Sequence, residues 1–167
     1  MPEAHRPGVN DNYVRVAEEV PAVASIKVEA VPTPEKIGAL ARGLKGRRVS
    51  LLGGLGGVYS FFELERGTAG LMTGFAFPEA LRQRVEATRA GNSREALEVY
   101  RLFLPLMVFE HQGGIAVRKA VYNLRGVLRH ARTRAPGGGL DRHAQERLER
   151  LIRQTVGDAD IRRPLPI

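Results

Sequence analysis

The sequence predicts an α/β fold in its first half and only helices in its second half. Between residues 12 and 74, three short apolar segments rich in β-branched residues alternate with three segments whose apolar residues recur at helical spacing. Strands that alternate with helices in this way are typical of a parallel sheet with right-handed crossovers. After Pro78 only helical spacing remains, so no further strand is predicted.

The predicted elements follow one another with short connections. Helices are predicted at 12–20, 33–44 and 58–66, and strands at 23–30, 48–52 and 69–73. Thr33 and Pro34 are typical of a helix start, and Pro21 and Gly46 of helix ends. Four helices are predicted at 81–90, 93–108, 115–128 and 140–156. We therefore expect an irregular lead-in over 1–11, an α/β part over 12–77, C-terminal helices over 78–157 and a poorly ordered tail over 158–167.

Composition argues against several classes of protein. The chain has no cysteine, which excludes disulfides, a thiolate nucleophile and cysteine metal sites. We find no run of about 18 apolar residues, which a membrane-spanning helix needs, and no apolar segment typical of a secretory signal near the N-terminus. These features predict a cytoplasmic protein with no membrane contact, and no motif indicates a cofactor or a metal ion.

The net charge of +8 and the pI of about 10.6 raise the alternative of a nucleic-acid-binding protein. The arginines are spread along the chain, with one denser stretch over 118–134. Tyr122 is the only aromatic residue in that stretch. A solvated helix face or a subunit contact explains the stretch more simply.

Lys27 is the strongest candidate for chemistry. Strand alternation places Ser25, Lys27 and Glu29 on one face of the first strand, and Ile26 and Val28 on the other. A lysine within an apolar parallel strand is unusual, because a buried ammonium costs several kcal/mol unless it is paired or neutral. Withdrawal from water favours the free amine, which Schiff-base formation with a carbonyl compound requires. The competing interpretation is a lysine at a strand end that reaches water.

A glycine cluster at 53–57 lies between the second strand and the third helix. Backbone N–H groups at a helix start can hold a carboxylate or a phosphate. The cluster matches neither the dinucleotide fingerprint nor the P-loop. An anion site and a tight turn with close packing are both compatible with it.

The remaining polar candidates are weaker. The histidines lack the spacing of metal ligands, and we expect them to be solvated; they are His5, His111, His130 and His143. The break at 110–112 is compatible with a loop near an active-site mouth, although a simple helix end explains it as well.

Several segments together resemble the dihydrodipicolinate synthase / N-acetylneuraminate lyase family of class I Schiff-base aldolases. Residues 22–30 (AVASIKVEA) resemble the family's sixth barrel strand, residues 49–54 (VSLLGG) the seventh, and residues 65–74 (ERGTAGLMTG) the segment ending in the eighth. Residues 104–107 (LPLM) and 114–120 (GIAVRKA) resemble its C-terminal helices. The resemblance spans roughly residues 12–155. It implies that 12–77 are βα units 6–8 of a (β/α)8 TIM barrel, followed by a helical segment.

The resemblance also implies roles for individual residues. Lys27 matches the Schiff-base lysine, which attacks the ketone of pyruvate or another 2-oxo acid for carbon–carbon bond cleavage or formation. Glu29 matches a substrate-contacting position of sialate lyases, and Gly54 a glycine beside the second substrate. Met72 matches an apolar residue beside bound pyruvate. Gly56 and Gly57 replace the acidic pair of sialate lyases, which argues against sialic acid as the substrate.

The resemblance covers only the C-terminal part of the family. The strands that carry the carboxylate-binding loop and the proton-relay tyrosine would precede Lys27, and Tyr13 is no substitute for that tyrosine. Three strands alone would leave two unpaired sheet edges and a lysine face open to water. We therefore expect association, either as a homo-oligomer or with a separate N-terminal half-barrel chain.

Three hypotheses follow from the sequence. The first is a truncated Schiff-base lyase. The second is a catalytically inactive family remnant that acts through helical contacts. The third and weakest is a basic nucleic-acid-binding protein, which predicts strongly salt-dependent binding.

Overall fold

The structure is a computed structural model and describes residues 9–166. The helices are α1 (Val9–Glu19), α2 (Thr33–Gly43), α3 (Ser60–Glu65), α4 (Pro78–Arg89), α5 (Ser93–Leu124) and α6 (Arg142–Val156), and the strands are β1 (Ser25–Val28), β2 (Ser50–Gly53) and β3 (Gly70–Leu71). The helices of this part of the chain include none that is long and apolar enough to cross a membrane.

The three strands form one parallel sheet in the order β1-β2-β3. Val28 pairs with Gly53, and Gly53 pairs with Leu71, so the three strands end at the same level. The predicted combination of a three-stranded parallel sheet with helices and a helical C-terminal segment is confirmed.

The sheet is covered by helices on one face. Ile26, Val28 and Leu51 pack with residues of α1 and α2, and together these form the sheet cluster, which comprises Ala17, Ile26, Val28, Ile37, Leu40, Leu44 and Leu51. The side chains of β1 alternate, so Ser25 and Lys27 lie on the opposite, exposed face. The sheet therefore has one buried and one open face.

A second and larger core lies among the C-terminal helices. Phe75, Phe77 and Phe103 pack ring against ring, with centroids 5.8–6.3 Å apart. They belong to the helical cluster, which comprises Phe75, Ala76, Phe77, Ala80, Leu81, Val99, Phe103, Leu106, Met107, Val117, Ala120, Val121, Leu148, Ile152 and Leu165. This core joins the segment after β3 to α4, α5 and α6.

The two helices predicted at 93–108 and 115–128 form one long element, α5, with a break inside it. Gly114 has φ 59° and ψ −138°, which is not helical. Glycine reaches positive φ without steric cost, so the chain changes direction at Gly114 without leaving the helical element. The sequence predicts the break at the correct place, but it leaves residues 109–114 outside both predicted helices, whereas α5 includes them.

Both ends of the described chain differ from expectation. Helix α1 begins at Val9, within the predicted lead-in of 1–11, because Asn10 and Asp11 lie in its first turn, where an acidic residue is favourable. Residues 1–8 of that lead-in, together with Ile167, lie outside the described residues. Within the tail expected over 158–167, Leu165 is buried in the helical cluster, and its N–H donates to the Glu79 carboxylate (3.3 Å).

Candidate functional site

Lys27 lies on the open face of the sheet, one residue before the end of β1. It pairs with Leu52 of β2, in a register that continues to Gly70 of β3. The Lys27 side chain is 37% exposed. The predicted face of Lys27 is therefore correct, but its side chain is not enclosed.

Three further predicted residues each follow directly after a strand. Glu29 follows β1, Gly54 follows β2 and Met72 follows β3. Because the strand ends are in register, these residues lie at one level along the carboxyl edge of the sheet. Carboxyl edges of parallel sheets are where ligands bind in α/β proteins.

Glu29 connects Lys27 to the glycine-rich turn. Its Oε1 lies 3.1 Å from the Lys27 Nζ and accepts a hydrogen bond of 3.0 Å from the Leu55 N–H. The Leu55 N–H, followed by Lys27 and the nearby His111, holds the pKa of the Glu29 carboxyl below its ordinary value. Glu29 is therefore a carboxylate that fixes the position of the amine.

Gly54 packs directly beneath the Glu29 carboxylate. A β-carbon at Gly54 would collide with the Oε1, Cγ and Cδ atoms of Glu29. The absence of a side chain at Gly54 therefore lets the carboxylate reach the turn. The structure brings Lys27, Glu29 and Gly54 into one connected group.

Met72 lies at the same edge but two strands away from Lys27. Its N–H donates to the Gly53 carbonyl (2.8 Å), which extends the pairing of β2 and β3 by one residue. The Met72 side chain is 51% exposed. Met72 therefore borders the open face without belonging to the group around Lys27.

His111 was expected to be solvated, and its exposure agrees with that expectation. It also lies beside the glycine-rich turn, because a β-carbon on Gly56 would stand 3.5 Å from the His111 β-carbon. A neighbour from α5 at this turn was not visible in the sequence, because more than fifty positions separate the two residues.

A buried polar group beneath the turn was also missed. Glu63 and Arg84 are fully buried, and Thr33 donates its hydroxyl to Glu63 (2.5 Å). Burial raises the pKa of Glu63, and it lowers the pKa of Arg84 to about 10. The Tyr100 hydroxyl donates to the Val58 carbonyl (2.7 Å) and so anchors the end of the turn. The only sequence signal was an acidic residue in the apolar start of α3.

The predicted break at 110–112 has a structural role. Glu110 is buried within α5, accepts from the Ala76 N–H (2.9 Å) and pairs with Arg118 (2.8 Å). Burial raises the pKa of Glu110. Helical backbone continues through 110–112 and breaks directly afterwards at Gly114, so the simple helix end is the alternative that the structure supports. The Glu110 carboxylate ties α5 to the segment that follows β3.

A metal site does not emerge from the part of the chain that the structure describes. Within residues 9–166, no group of three or more histidine, aspartate and glutamate side chains is placed to hold a metal ion. The Lys27 amine lies beside the Glu29 carboxylate, and the Leu55 N–H and His111 lie close to that carboxylate. This set suits an organic acid or a carbonyl compound.

Comparisons with known proteins identify relatives of one kind. No protein-family model matches the chain. The L-2-keto-3-deoxyarabonate dehydratase of Azospirillum brasilense is 34% identical over 124 residues, which are 73% of this chain and 40% of that protein. The crystal structure of dihydrodipicolinate synthase from Rhodopseudomonas palustris is 40% identical, with a TM-score of 0.74 over 78% of this chain and 45% of that one.

More distant structures share the fold. The dihydrodipicolinate synthase of Aquifex aeolicus superposes with a TM-score of 0.78 at 17% identity and covers 95% of this chain and 52% of that one. The chain thus spans about half the length, or less, of the relatives that it matches.

Proposed function

Because the chain belongs to the dihydrodipicolinate synthase / N-acetylneuraminate lyase family, over part of the family's length, we propose that it is a lyase whose Lys27 forms a Schiff base with pyruvate or another 2-oxo acid. The observation that carries the proposal is the position of Lys27. It stands at the carboxyl edge of a parallel sheet, beside Glu29 and Gly54. Active sites of (β/α)8 barrels lie at this edge.

The proposed reaction begins with the free amine of Lys27. The amine adds to the C2 carbonyl carbon of the 2-oxo acid, and loss of water leaves an iminium ion. In a substrate with a hydroxyl group on C4, that hydroxyl loses its proton as the C3–C4 bond breaks, and C4 leaves as a carbonyl group. The bonding electron pair neutralises the iminium ion and gives an enamine. Protonation at C3 and hydrolysis return the free lysine and the product. An enamine formed by proton loss at C3 can instead expel a hydroxyl from C4, which is a dehydration, and the A. brasilense relative is named a dehydratase.

The residues next to Lys27 fit roles in these reaction steps. Glu29 already contacts the Lys27 nitrogen, so its carboxylate would stabilise the cation when the amine becomes an iminium ion. Gly54 leaves room for the Glu29 carboxylate, through which it would act on the second substrate, and Met72 would offer an apolar contact to the pyruvate methyl group. Of these three, Glu29 has the most direct geometric support.

The open face sets a condition on activity. Lys27 is partly exposed on the open face of the sheet, and its amine is paired with the Glu29 carboxylate. The R. palustris structure is about twice the length that the chain covers. We therefore propose that the open face is covered in the active state, by further barrel strands on another chain or by a second copy. We also place the protein in the cytoplasm, where small 2-oxo acids are available.

Borohydride trapping tests the proposal. The purified chain, alone and with a complementary half-barrel chain added, is incubated with pyruvate and reduced, and the adduct is located by peptide mapping. The chain has four lysines, so Lys36, Lys45 and Lys119 report non-specific reaction within the same sample. The expected result is an adduct concentrated on Lys27, retained in Lys45→Ala and lost in Lys27→Ala. An equal distribution over the four lysines in a folded sample would overturn the Schiff-base assignment.

The exposure of Lys27 favours one competing function. A half-exposed lysine in an ion pair is also what an inactive remnant would contain, with the helices providing contacts to a partner. That alternative predicts no trapping even when a complementary half-barrel is supplied, and it predicts that Lys27→Ala leaves association with a partner unchanged.

A further inference from the structure

A cavity lies between the second half of α5, the segment that joins α5 to α6, and the first turns of α6. Its volume is about 390 Å³, within the range of roughly 300–1,000 Å³ that is usual for small-molecule sites. We call it the basic cavity, and define it by six of its lining residues, Ala116, Ala120, Arg129, His130, Arg132 and Gln145. None of them takes part in the proposed Schiff-base chemistry.

The basic stretch over 118–134 contains two kinds of arginine. Arg118 and Arg125 are tied into the fold, where each pairs with a carboxylate, at 2.8 and 2.7 Å respectively. Arg129 and Arg132 are exposed, and within residues 9–166 neither side chain forms a salt bridge or a hydrogen bond. The cavity is therefore lined by those arginines of the stretch whose charge the fold does not use.

The joining segment is held against α5 without a ligand. The Lys119 ammonium donates to the Arg132 carbonyl (2.6 Å), and the Asn123 amide donates to the Leu128 carbonyl (2.9 Å). Ala131 packs against the helical cluster. A ligand would therefore meet a segment that is already ordered, which lowers the entropic cost of binding. Lys119 also adds a third positive charge beside the cavity.

The carboxylates around the cavity do not cancel its charge. No aspartate or glutamate is among the described residues that line it. Asp141 caps the start of α6 and Glu149 accepts from the Gln145 amide (2.9 Å), so both lie nearby. Glu146 is already paired with Arg142 (2.8 Å). Two nearby carboxylates thus stand against the ammonium and the two guanidinium groups described above, and the balance is positive.

We propose that the basic cavity binds a small molecule with two or more anionic oxygen groups, either carboxylates or phosphates. The planar guanidinium groups of Arg129 and Arg132 suit such groups, because they donate paired hydrogen bonds to them. The small side chains of Ala116 and Ala120 leave room for the body of the ligand. The proposal goes beyond the Schiff-base function, because it uses neither Lys27 nor the open face of the sheet.

The lining of the cavity favours a small molecule over a nucleic acid. Proteins that bind single strands combine basic residues with aromatic rings on which the bases stack. Among the described residues, no phenylalanine, tyrosine or tryptophan lines the basic cavity. Its charge is also confined to a concave site and does not follow a long groove that could hold a strand.

Calorimetric titration of the full chain tests the charge preference. The probes are citrate, pyrophosphate, acetate as an anion with a single charge, and a short oligothymidylate. We expect citrate or pyrophosphate to bind at least about tenfold more tightly than acetate, because a second anionic group adds a further charge-assisted contact. The tighter of the two identifies the ligand as a carboxylate or a phosphate compound. Equal binding of all three anions, or no binding at millimolar concentration, would overturn the proposal.

Two matched double variants locate the site. Arg129→Gln with Arg132→Gln should weaken binding of the tighter probe at least about tenfold, because both charge-assisted contacts are lost. Arg147→Gln with Arg150→Gln removes the same net charge from exposed positions of α6. This control should change the affinity by no more than about twofold, because water and salt screen distant surface charges. Equal weakening by the two double variants would contradict the proposal.

A steric variant distinguishes a cavity from a diffuse basic surface. Ala116→Leu fills part of the cavity and leaves every charge in place, so it should weaken citrate and pyrophosphate alike. Lys27→Ala should bind both as the wild type does, which separates this site from the proposed catalytic one. Unchanged binding in an Ala116→Leu variant that is folded by circular dichroism would contradict the proposal. An oligothymidylate that binds more tightly than both anions and displaces them would contradict it as well, since the arginines would then serve a nucleic-acid surface.

Discussion

The α/β part and the C-terminal helices enclose their cores to different degrees. The sheet cluster is covered on one side only, and the other face of the sheet exposes Lys27. The helical cluster is larger and is surrounded by α4, α5 and α6. Lys27, the strongest candidate for chemistry, therefore lies in the less enclosed α/β part. The C-terminal helices form the more enclosed part, which supports it.

Buried charges do not follow the same division between the two parts. Glu110, beside the helical cluster, has partners for both carboxylate oxygens, the Ala76 N–H and the Arg118 guanidinium. Glu63, behind the sheet, accepts from Thr33 through Oε1, but its Oε2 has no hydrogen-bond partner among the described residues. A buried polar atom without a partner costs about 1–3 kcal/mol. Arg84 on α4 has the same deficit, because its Nε and Nη2 also lack hydrogen-bond partners among the described residues, so both parts carry this electrostatic cost.

The largest loss of stability is expected from a substitution in the helical cluster. Phe103→Ala removes a fully buried ring that packs against Phe75 and Phe77, and it should lower the free energy of unfolding by about 3–5 kcal/mol. Urea denaturation followed by circular dichroism measures the loss. Leu102→Ala, at an exposed neighbouring position, is the control and should cost less than about 0.5 kcal/mol. Similar losses in both variants would contradict the assignment of the main core to this cluster.

A smaller effect on the free energy of unfolding is expected from the buried carboxyl of Glu63. Because burial raises the pKa of Glu63 above its ordinary 4.5, the folded state binds the proton more strongly than the unfolded state. Its contribution to stability is therefore present below pH 4.5 and is lost as the pH rises through the folded-state pKa. In Glu63→Gln the free energy of unfolding should fall less between pH 4 and 7 than in the wild type, by on the order of 1 kcal/mol.

The control for that pH series is Glu65→Gln, which replaces an exposed carboxyl on the same helix. Its pH dependence should match that of the wild type. If Glu63→Gln also matches the wild type, burial does not raise the pKa of the Glu63 carboxyl.

The smallest effect on stability is expected from the ion pair on the open face of the sheet. Glu29→Gln breaks the exposed pair with Lys27, and it should change stability by less than about 1 kcal/mol because water and salt screen such pairs. Carbon-detected NMR titration of the wild type should place the Glu29 pKa below its ordinary value, since Leu55 and Lys27 favour the carboxylate. A pKa at or above that value would mean that the contact with the glycine-rich turn does not form in solution.

The sequence predicted the fold where local pattern decides it. β-branched segments and helix-start residues located β1, β2 and α2, and strand alternation placed Lys27 on the face opposite Ile26 and Val28. The family resemblance added Glu29, Gly54 and Met72, and strand register explains why these distant residues share one edge.

The sequence could not predict contacts between distant helices. The hydrogen bond from Tyr100 to Val58 and the buried position of Arg84 depend on how α4 and α5 pack beneath the turn. Local periodicity carries no information on that packing, and arginine is usually exposed. Leu165 was missed for the same reason, because its neighbours are distant in sequence and only the folded helices create the surface that it covers.

Hydrogen exchange of the full chain, read by mass spectrometry, tests most directly whether Lys27 lies on an uncovered part of the molecule. Amides of α5 within the helical cluster should exchange slowest, whereas those of β1 should exchange markedly faster, because a one-sided sheet opens locally at lower cost. Adding a complementary half-barrel chain should then slow the exchange of β1. Equal protection of β1 and α5 in the chain alone would contradict the account, since the face around Lys27 would already be enclosed.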